Sequence, residues 1–147
     1  MPGLLSLLDA LDAAAVPTAI ATSAPADNVA HTLRELGLGE RLTRIVRSDR
    51  VARGKPFPDV FLAAAELIGV APARCLAFED AHAGVTAAER AGASVLVVTA
   101  THDLLDGAPL AELAKPTSFP NLDLVPAKPE LAAAAVHLSA LEGGERY

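Results

Sequence analysis

The sequence predicts an α/β fold, a parallel sheet covered by helices on both faces. Three observations predict it. Short apolar segments alternate with segments of helical period. The apolar segments are continuous rather than alternating, as strands buried on both faces are. Residues of unusual chemistry follow directly after those segments, where sheets of this kind bind ligands. The chain has 147 residues, 52% hydrophobic and only 3% aromatic, which suits a single domain over residues 1–147 with a core of Ala, Leu and Val.

The elements follow in order. Gly3 to Ala15 carries Leu4, Leu7, Leu8 and Leu11 at helical spacing and ends before Pro17. Thr18 to Thr22 is a short apolar strand. Pro25 to Leu36 is a helix with Val29, Leu33 and Leu36 on one side and Gly37 as its stop. Thr43 to Arg47 reads as a strand, and Pro58 to Ile68 as a helix ended by Gly69. Arg74 to Glu79 is a strand, Ala83 to Ala91 a helix ended by Gly92, and Ser94 to Thr99 the clearest strand of all. A short helix at Leu110 to Ala114, a last strand at Leu122 to Val125 and a last helix at Pro129 to Leu141 complete the pattern, with residues 143–147 as a frayed tail. Crossovers between parallel strands are expected to be right-handed.

Composition excludes several classes of function. The net charge is -6 and no basic block occurs, so neither nucleic acid nor an anionic membrane is an expected partner. No apolar run approaches the roughly 20 residues that span a bilayer. The N-terminus has no basic region before an apolar stretch, so no signal peptide is read and a cytoplasmic location is expected. The one cysteine, Cys75, has no partner for an internal disulfide and is read as a buried small hydrophobe, in keeping with a reducing compartment.

Three short motifs carry chemistry. Thr22-Ser23 lies between a strand and a helix start, where a hydroxyl and free backbone N–H groups can hold a phosphate oxygen; the plainer role is capping of the helix by Ser23. Gly54-Lys55-Pro56 places one lysine in a stiffened loop, aimed as a point cation for phosphate; a solvated loop lysine is the alternative. Glu79-Asp80 puts two carboxylates at a strand end, where they repel unless a cation sits near them. Mg2+ accepts one or two carboxylates and fills its shell with water and phosphate oxygens. Capping of the next helix by Asp80, with Glu79 facing water, is the competing role. Ala83 and Gly84 keep that turn small.

The remaining ionisable residues read as structural. Asp59 starts a helix and either caps it or steadies Lys55 through a salt bridge. Asp9 and Asp12 belong to the polar face of the first helix. His31, His82, His102 and His137 show no metal-ligand spacing, and His82 alone stands close to the proposed site.

Taken as a set, these residues resemble the haloacid dehalogenase superfamily, most closely its beta-phosphoglucomutase-like phosphatases and mutases. The resemblance runs from Pro2-Gly3 through Ala19-Ile20-Ala21-Thr22-Ser23, Val51-Ala52-Arg53-Gly54-Lys55-Pro56-Phe57-Pro58-Asp59 and Leu76-Ala77-Phe78-Glu79-Asp80-Ala81-His82-Ala83-Gly84 to about Thr99. It implies a Rossmann-like core. It also implies a phosphate hydroxyl at Thr22, a phosphate cation at Lys55 and magnesium carboxylates at Glu79 and Asp80. The implied activity is Mg2+-dependent phosphohydrolase or phosphomutase chemistry on small phosphorylated metabolites, sugar phosphates foremost.

One departure is large. The family's Asp-x-Asp-Gly-Thr motif, source of the aspartyl nucleophile, is implied on a strand ahead of Pro2-Gly3, and no Asp-x-Asp occurs in this sequence. The chain therefore looks like the C-terminal part of such an enzyme, an incomplete core without the central nucleophile strand. The strands at Thr18 to Thr22 and Arg74 to Glu79 would flank that strand, and without it each leaves an open edge. Direct pairing of the two strands, a strand from a second chain or by self-association, and a poorly folded chain are the three arrangements open at this level. Inactivity of the isolated chain is expected. A non-catalytic phosphate-binding or interaction protein is the alternative function.

Overall fold

The computed structural model describes residues 4–98, together with the backbone of residues 115–116 and 122–125. Among the described residues, four helices and six strands follow one another as α1 (Leu4–Ala13), β1 (Ile20–Thr22), α2 (Ala26–Glu35), β2 (Ile45–Arg47), α3 (Asp59–Leu67), β3 (Leu76–Glu79), α4 (His82–Ala91), β4 (Ser94–Val98), β5 (Lys115–Pro116) and β6 (Leu122–Val125). Single 3-10 turns at Ser48–Arg50 and Pro72–Arg74 lead away from β2 and into β3. The expected strands and helices up to β4 are all present, with strand ends trimmed by up to two residues. The expected helices at Leu110 to Ala114 and Pro129 to Leu141, and the tail, lie outside the described residues.

The strands form two sheets. β1 pairs with β2 in parallel, Ile20 opposite Ile45 and Thr22 opposite Arg47. β3 pairs with β4 in parallel, Leu76 opposite Ser94 and Glu79 opposite Val97. The last strand expected from the sequence is present as β6, but it runs antiparallel to β4, and β5 runs antiparallel to β6. The sheet is therefore mixed at its far edge instead of wholly parallel. A parallel neighbour needs a crossover of a dozen residues or more with its own packing surface, whereas an antiparallel one needs only a return of the chain.

Backbone hydrogen bonds fix which edges stay open among the described residues. The Ile20 N–H donates to the Arg44 carbonyl across to β2, so the polar backbone groups of the next residue, Ala21, point away from β2. The Ser94 N–H donates to the Cys75 carbonyl across to β4, so Leu76 and Phe78 present theirs on the far edge of β3. β1 and β3 do not pair with each other. Direct pairing, one of the three arrangements expected from the sequence, is not the one adopted.

Two apolar clusters anchor the layers. Leu8 of α1, Leu33 of α2 and Leu38 pack with Ile20 and Ile45 against β1 and β2. Val85 and Ala88 of α4 pack with Val95 and Val97 of β4, joined by Phe61 of α3 and Ala77 of β3. α3 touches β1, β2 and α4, and so links the first sheet to the helix packed on the second. β4 is buried along its whole length, as its unbroken Ser-Val-Leu-Val-Val run requires. Two leucines placed on buried faces by periodicity are exposed: Leu7 on α1 and Leu36, which caps α2. Gly37, Gly69 and Gly92 follow their helices in the left-handed region, at φ 66°, 69° and 85°.

Candidate functional site

Lys55 and Glu79 come together between the carboxyl ends of β1 and β3, and Thr22 is the last residue of β1. The Lys55 ammonium donates to the Ala21 carbonyl at 3.1 Å and pairs with Glu79 Oε1. Ala21 O is the outward-facing acceptor on the open edge of β1. Lys55 therefore caps an edge group that no strand takes, and reaches β3 with the same ammonium. Both side chains are withdrawn from water, Lys55 with 12% and Glu79 with 8% of its surface exposed. The Phe61 ring lies beneath the ammonium, 5.0 Å from Nζ to the ring centroid, and adds a favourable quadrupole contact. The carboxylate repulsion expected at Glu79-Asp80 thus meets a cation, and that cation is Lys55.

The loop carrying Lys55 is held from several sides. Phe57 N–H donates to the Gly54 carbonyl at 3.0 Å, closing a turn around the lysine. Arg53 forks onto Asp59 through Nε at 3.3 Å and Nη2 at 3.1 Å, and stacks over Phe57 with its guanidinium carbon 4.5 Å from the ring centroid. Arg90, at the last turn of α4, donates to the Pro56 carbonyl at 3.0 Å. Gly54 lets the loop approach the turn after β2: a Cβ there would stand 3.2 Å from Ser48 Cβ. Asp59 serves Arg53, not Lys55, which corrects the salt bridge expected from the sequence. The six-residue spacing of Arg53 and Asp59 around Gly-Lys-Pro was the signal for this clasp.

Thr22 Oγ1 accepts the Ala24 N–H at 3.0 Å and so shapes the turn between β1 and α2. Ser23 does not cap α2. Pro25 occupies the N-cap, and the Ser23 hydroxyl instead shares a 2.9 Å hydrogen bond with the Ser48 hydroxyl. Beside them Arg47 grips Asp49 through Nε at 2.9 Å and Nη2 at 2.8 Å. That contact raises the guanidinium pKa further and holds the Asp49 carboxyl below its usual range.

Asp80 is exposed at the end of β3, and Ala81 rather than Asp80 is the N-cap of α4. Among the described residues no group of three or more His, Cys, Asp or Glu is placed to hold a metal ion. Asp9 and Asp12, assigned to the polar face of α1, both grip Arg41, with closest contacts of 2.9 and 2.7 Å. His31 shares a 3.3 Å contact with Arg34, and His82 opens α4 at the surface. His102 and His137 lie outside the described residues. Cys75 is half-buried rather than buried, with Sγ 3.5 Å from the Ala71 carbonyl, and burial raises its thiol pKa. A shallow cleft lined by Val46, Arg50, Glu66 and Leu67 contains none of the site residues.

The fold is that of known haloacid dehalogenase-type structures. The chain superposes on a family IA hydrolase of this type from Entamoeba histolytica with a TM-score of 0.64 and 31% identity, over 76% of this chain and 48% of that one. It superposes on CbbY from Rhodobacter sphaeroides in complex with phosphate with a TM-score of 0.61 and 33% identity, over 64% of this chain and 43% of that one. The family model for haloacid dehalogenase-like hydrolases matches residues 1–92, and the chain belongs to that family.

Among its relatives, it is 41% identical over 105 residues to hexitol phosphatase A of Escherichia coli K12, covering 70% of this chain and 47% of that protein. It is 39% identical over 101 residues to the validoxylamine A 7'-phosphate phosphatase of Streptomyces hygroscopicus, covering 69% of this chain and 47% of that protein. The chain thus spans about half the length of the curated relatives it matches.

Proposed function

We propose that this chain forms the phosphate-binding part of a Mg2+-dependent phosphatase or phosphomutase acting on small phosphorylated sugars. One observation carries the reading: Lys55 spans the carboxyl ends of β1 and β3, bonded to the carbonyl of Ala21, the residue before Thr22, and to Glu79. A buried ammonium held there by its loop is a preorganised counter-charge for a transferring phosphoryl group. Thr22 and Ser23 offer hydroxyls to phosphate oxygens beside it. The names of the relatives, which specify phosphatases of a hexitol and of a validoxylamine 7'-phosphate, support the substrate class.

The donor set suits Mg2+ in kind. Asp80 and Glu79 offer hard carboxylate oxygens, and Mg2+ takes few protein ligands and keeps several waters. Asp80 and Glu79 would hold the ion, which when bound neutralises phosphate charge. Glu79 also anchors Lys55 through Oε1, and Asp80 is the more exposed of the two carboxylates.

Chemistry needs an attacking carboxylate as well. No Asp-x-Asp occurs in these 147 residues, so we infer that by themselves they bind phosphate without turnover. The same observation favours the second reading, a non-catalytic phosphate-binding protein. We further infer that a strand from a second polypeptide, or from a second copy, covers the open edges of β1 and β3.

Calorimetric titration with inorganic phosphate in the presence of Mg2+ tests the proposal. Saturable binding by the wild type and at least a tenfold loss in Lys55→Ala are expected. No binding by the wild type, or equal binding by the variant, would overturn it. Steady phosphatase turnover by the pure chain, lost in Lys55→Ala, would overturn the inactivity alone.

A further inference from the structure

Glu79 raises a packing question that charge alone does not answer. Its carboxylate is folded back under α4 instead of reaching into solvent, although a carboxylate at a strand end is more easily hydrated than buried. The room for it comes from Gly84, the third residue of α4. A Cβ added to Gly84 would stand 2.7 Å from Glu79 Oε1 and closer still to Cδ and Oε2. Those separations lie well inside contact distance, and all three atoms belong to the one carboxylate. Gly84 has no left-handed backbone to explain its presence, since positive φ among the described glycines is confined to Gly37, Gly69 and Gly92. A glycine inside a helix costs about 1 kcal/mol relative to alanine, so its placement in the first turn of α4 needs a spatial reason.

We propose that Gly84 is a positioning residue for Lys55. Its missing side chain is the berth of the Glu79 carboxylate, and the carboxylate in that berth fixes the ammonium at the open edge of β1. Any side chain at residue 84 displaces the carboxylate while leaving the helix able to form, and so releases Lys55 from β3. The contact is specific. The nearest atoms to the added Cβ are the far end of a single side chain, which can swing away, and none is backbone. The effect therefore falls on the ion pair before it falls on the fold. The importance of this for phosphate rests on the function proposed above; the packing relation does not.

A two-residue cycle tests it. Wild type, Gly84→Ala, Glu79→Ala and the double variant are compared by the rate of Lys55 acetylation, followed by mass spectrometry under folding conditions, and by thermal melting. Gly84→Ala is expected to speed Lys55 acetylation at least threefold. The same substitution in the Glu79→Ala background is expected to change the rate little and to leave Tm unchanged or raised. Should Gly84→Ala fail to fold, recovery of folding in the double variant supports the berth, and failure of both overturns it. Equal effects of Gly84→Ala in the two backgrounds, or no effect in either, also overturn it. None of these readouts depends on phosphate, so a chain that binds no phosphate but shows the cycle would sink the proposed function and leave the berth standing.

Discussion

Glu89 on α4 illustrates what the tertiary environment does to a single carboxyl. Burial pushes its pKa above the ordinary 4.5, and the nearby His82 opposes that shift. A carboxyl whose pKa is raised by folding contributes most below its unfolded value, and that contribution is lost as pH rises through the folded value. Ionised Glu89 therefore works against the fold at neutral pH. Glu89→Gln is expected to melt higher than the wild type at pH 7, with the gap closing as pH falls below about 4, where both side chains are neutral. Parallel thermal scans at the two pH values check this, and a gap that widens on acidification would refute it. Lys55 was legible as a special lysine from its Gly-Pro neighbours. Its partners were not. Ala21 O and Glu79 lie 34 and 24 positions away, and only the packing of α3 against β1 and against α4 brings them within reach.

At the scale of the element, β4 and α4 carry the tightest packing. Val95 and Val97 are fully buried against Val85 and Ala88. Val97→Ala removes two methylene equivalents from a site with no solvent to fill it, and is expected to cost about 2 kcal/mol, read as a lower urea midpoint at unchanged slope. Leu62→Ala on the exposed side of α3 serves as the control and is expected to cost well under 1 kcal/mol. Elements were the most legible level, because a continuous apolar strand and a helix of period 3.6 each announce themselves locally. Periodicity misassigned particular residues, however. Leu7 fits the α1 stripe by spacing yet is exposed, while Leu8 of the same stripe enters the core. Ser23 precedes a helix yet bonds Ser48, because the loop after β2 presents a hydroxyl that competes with the helix N-terminus.

At the scale of the whole molecule, the edges of β1 and β3 that stay open among the described residues dominate. Both run beside the Lys55 site, and β3 also exposes Leu76 and Phe78, at 44% and 46% of their surface. Apolar strands with unpaired polar edges favour addition of another strand. Sedimentation of the chain over a hundredfold range of concentration is therefore expected to show reversible association. A species that stays monomeric throughout would remove the self-association form of the proposal. The site itself was only partly legible. The residue types and their strand-end positions pointed to one rim, but the division of labour among them did not appear. Asp59 went to Arg53, Arg90 reached across to Pro56, and Glu79 turned inward under Gly84.

The amino-acid sequence alone determined the alternation of strands and helices, their approximate limits, and the identity of the residues at the strand ends, because those depend on neighbours within a few positions. Tertiary structure alone decided that β1 and β3 stand apart, that β6 returns antiparallel to β4, and that one ammonium joins the two sheets. Strand partners and ion pairs are settled by which distant surfaces bury each other best, and no local pattern encodes that competition.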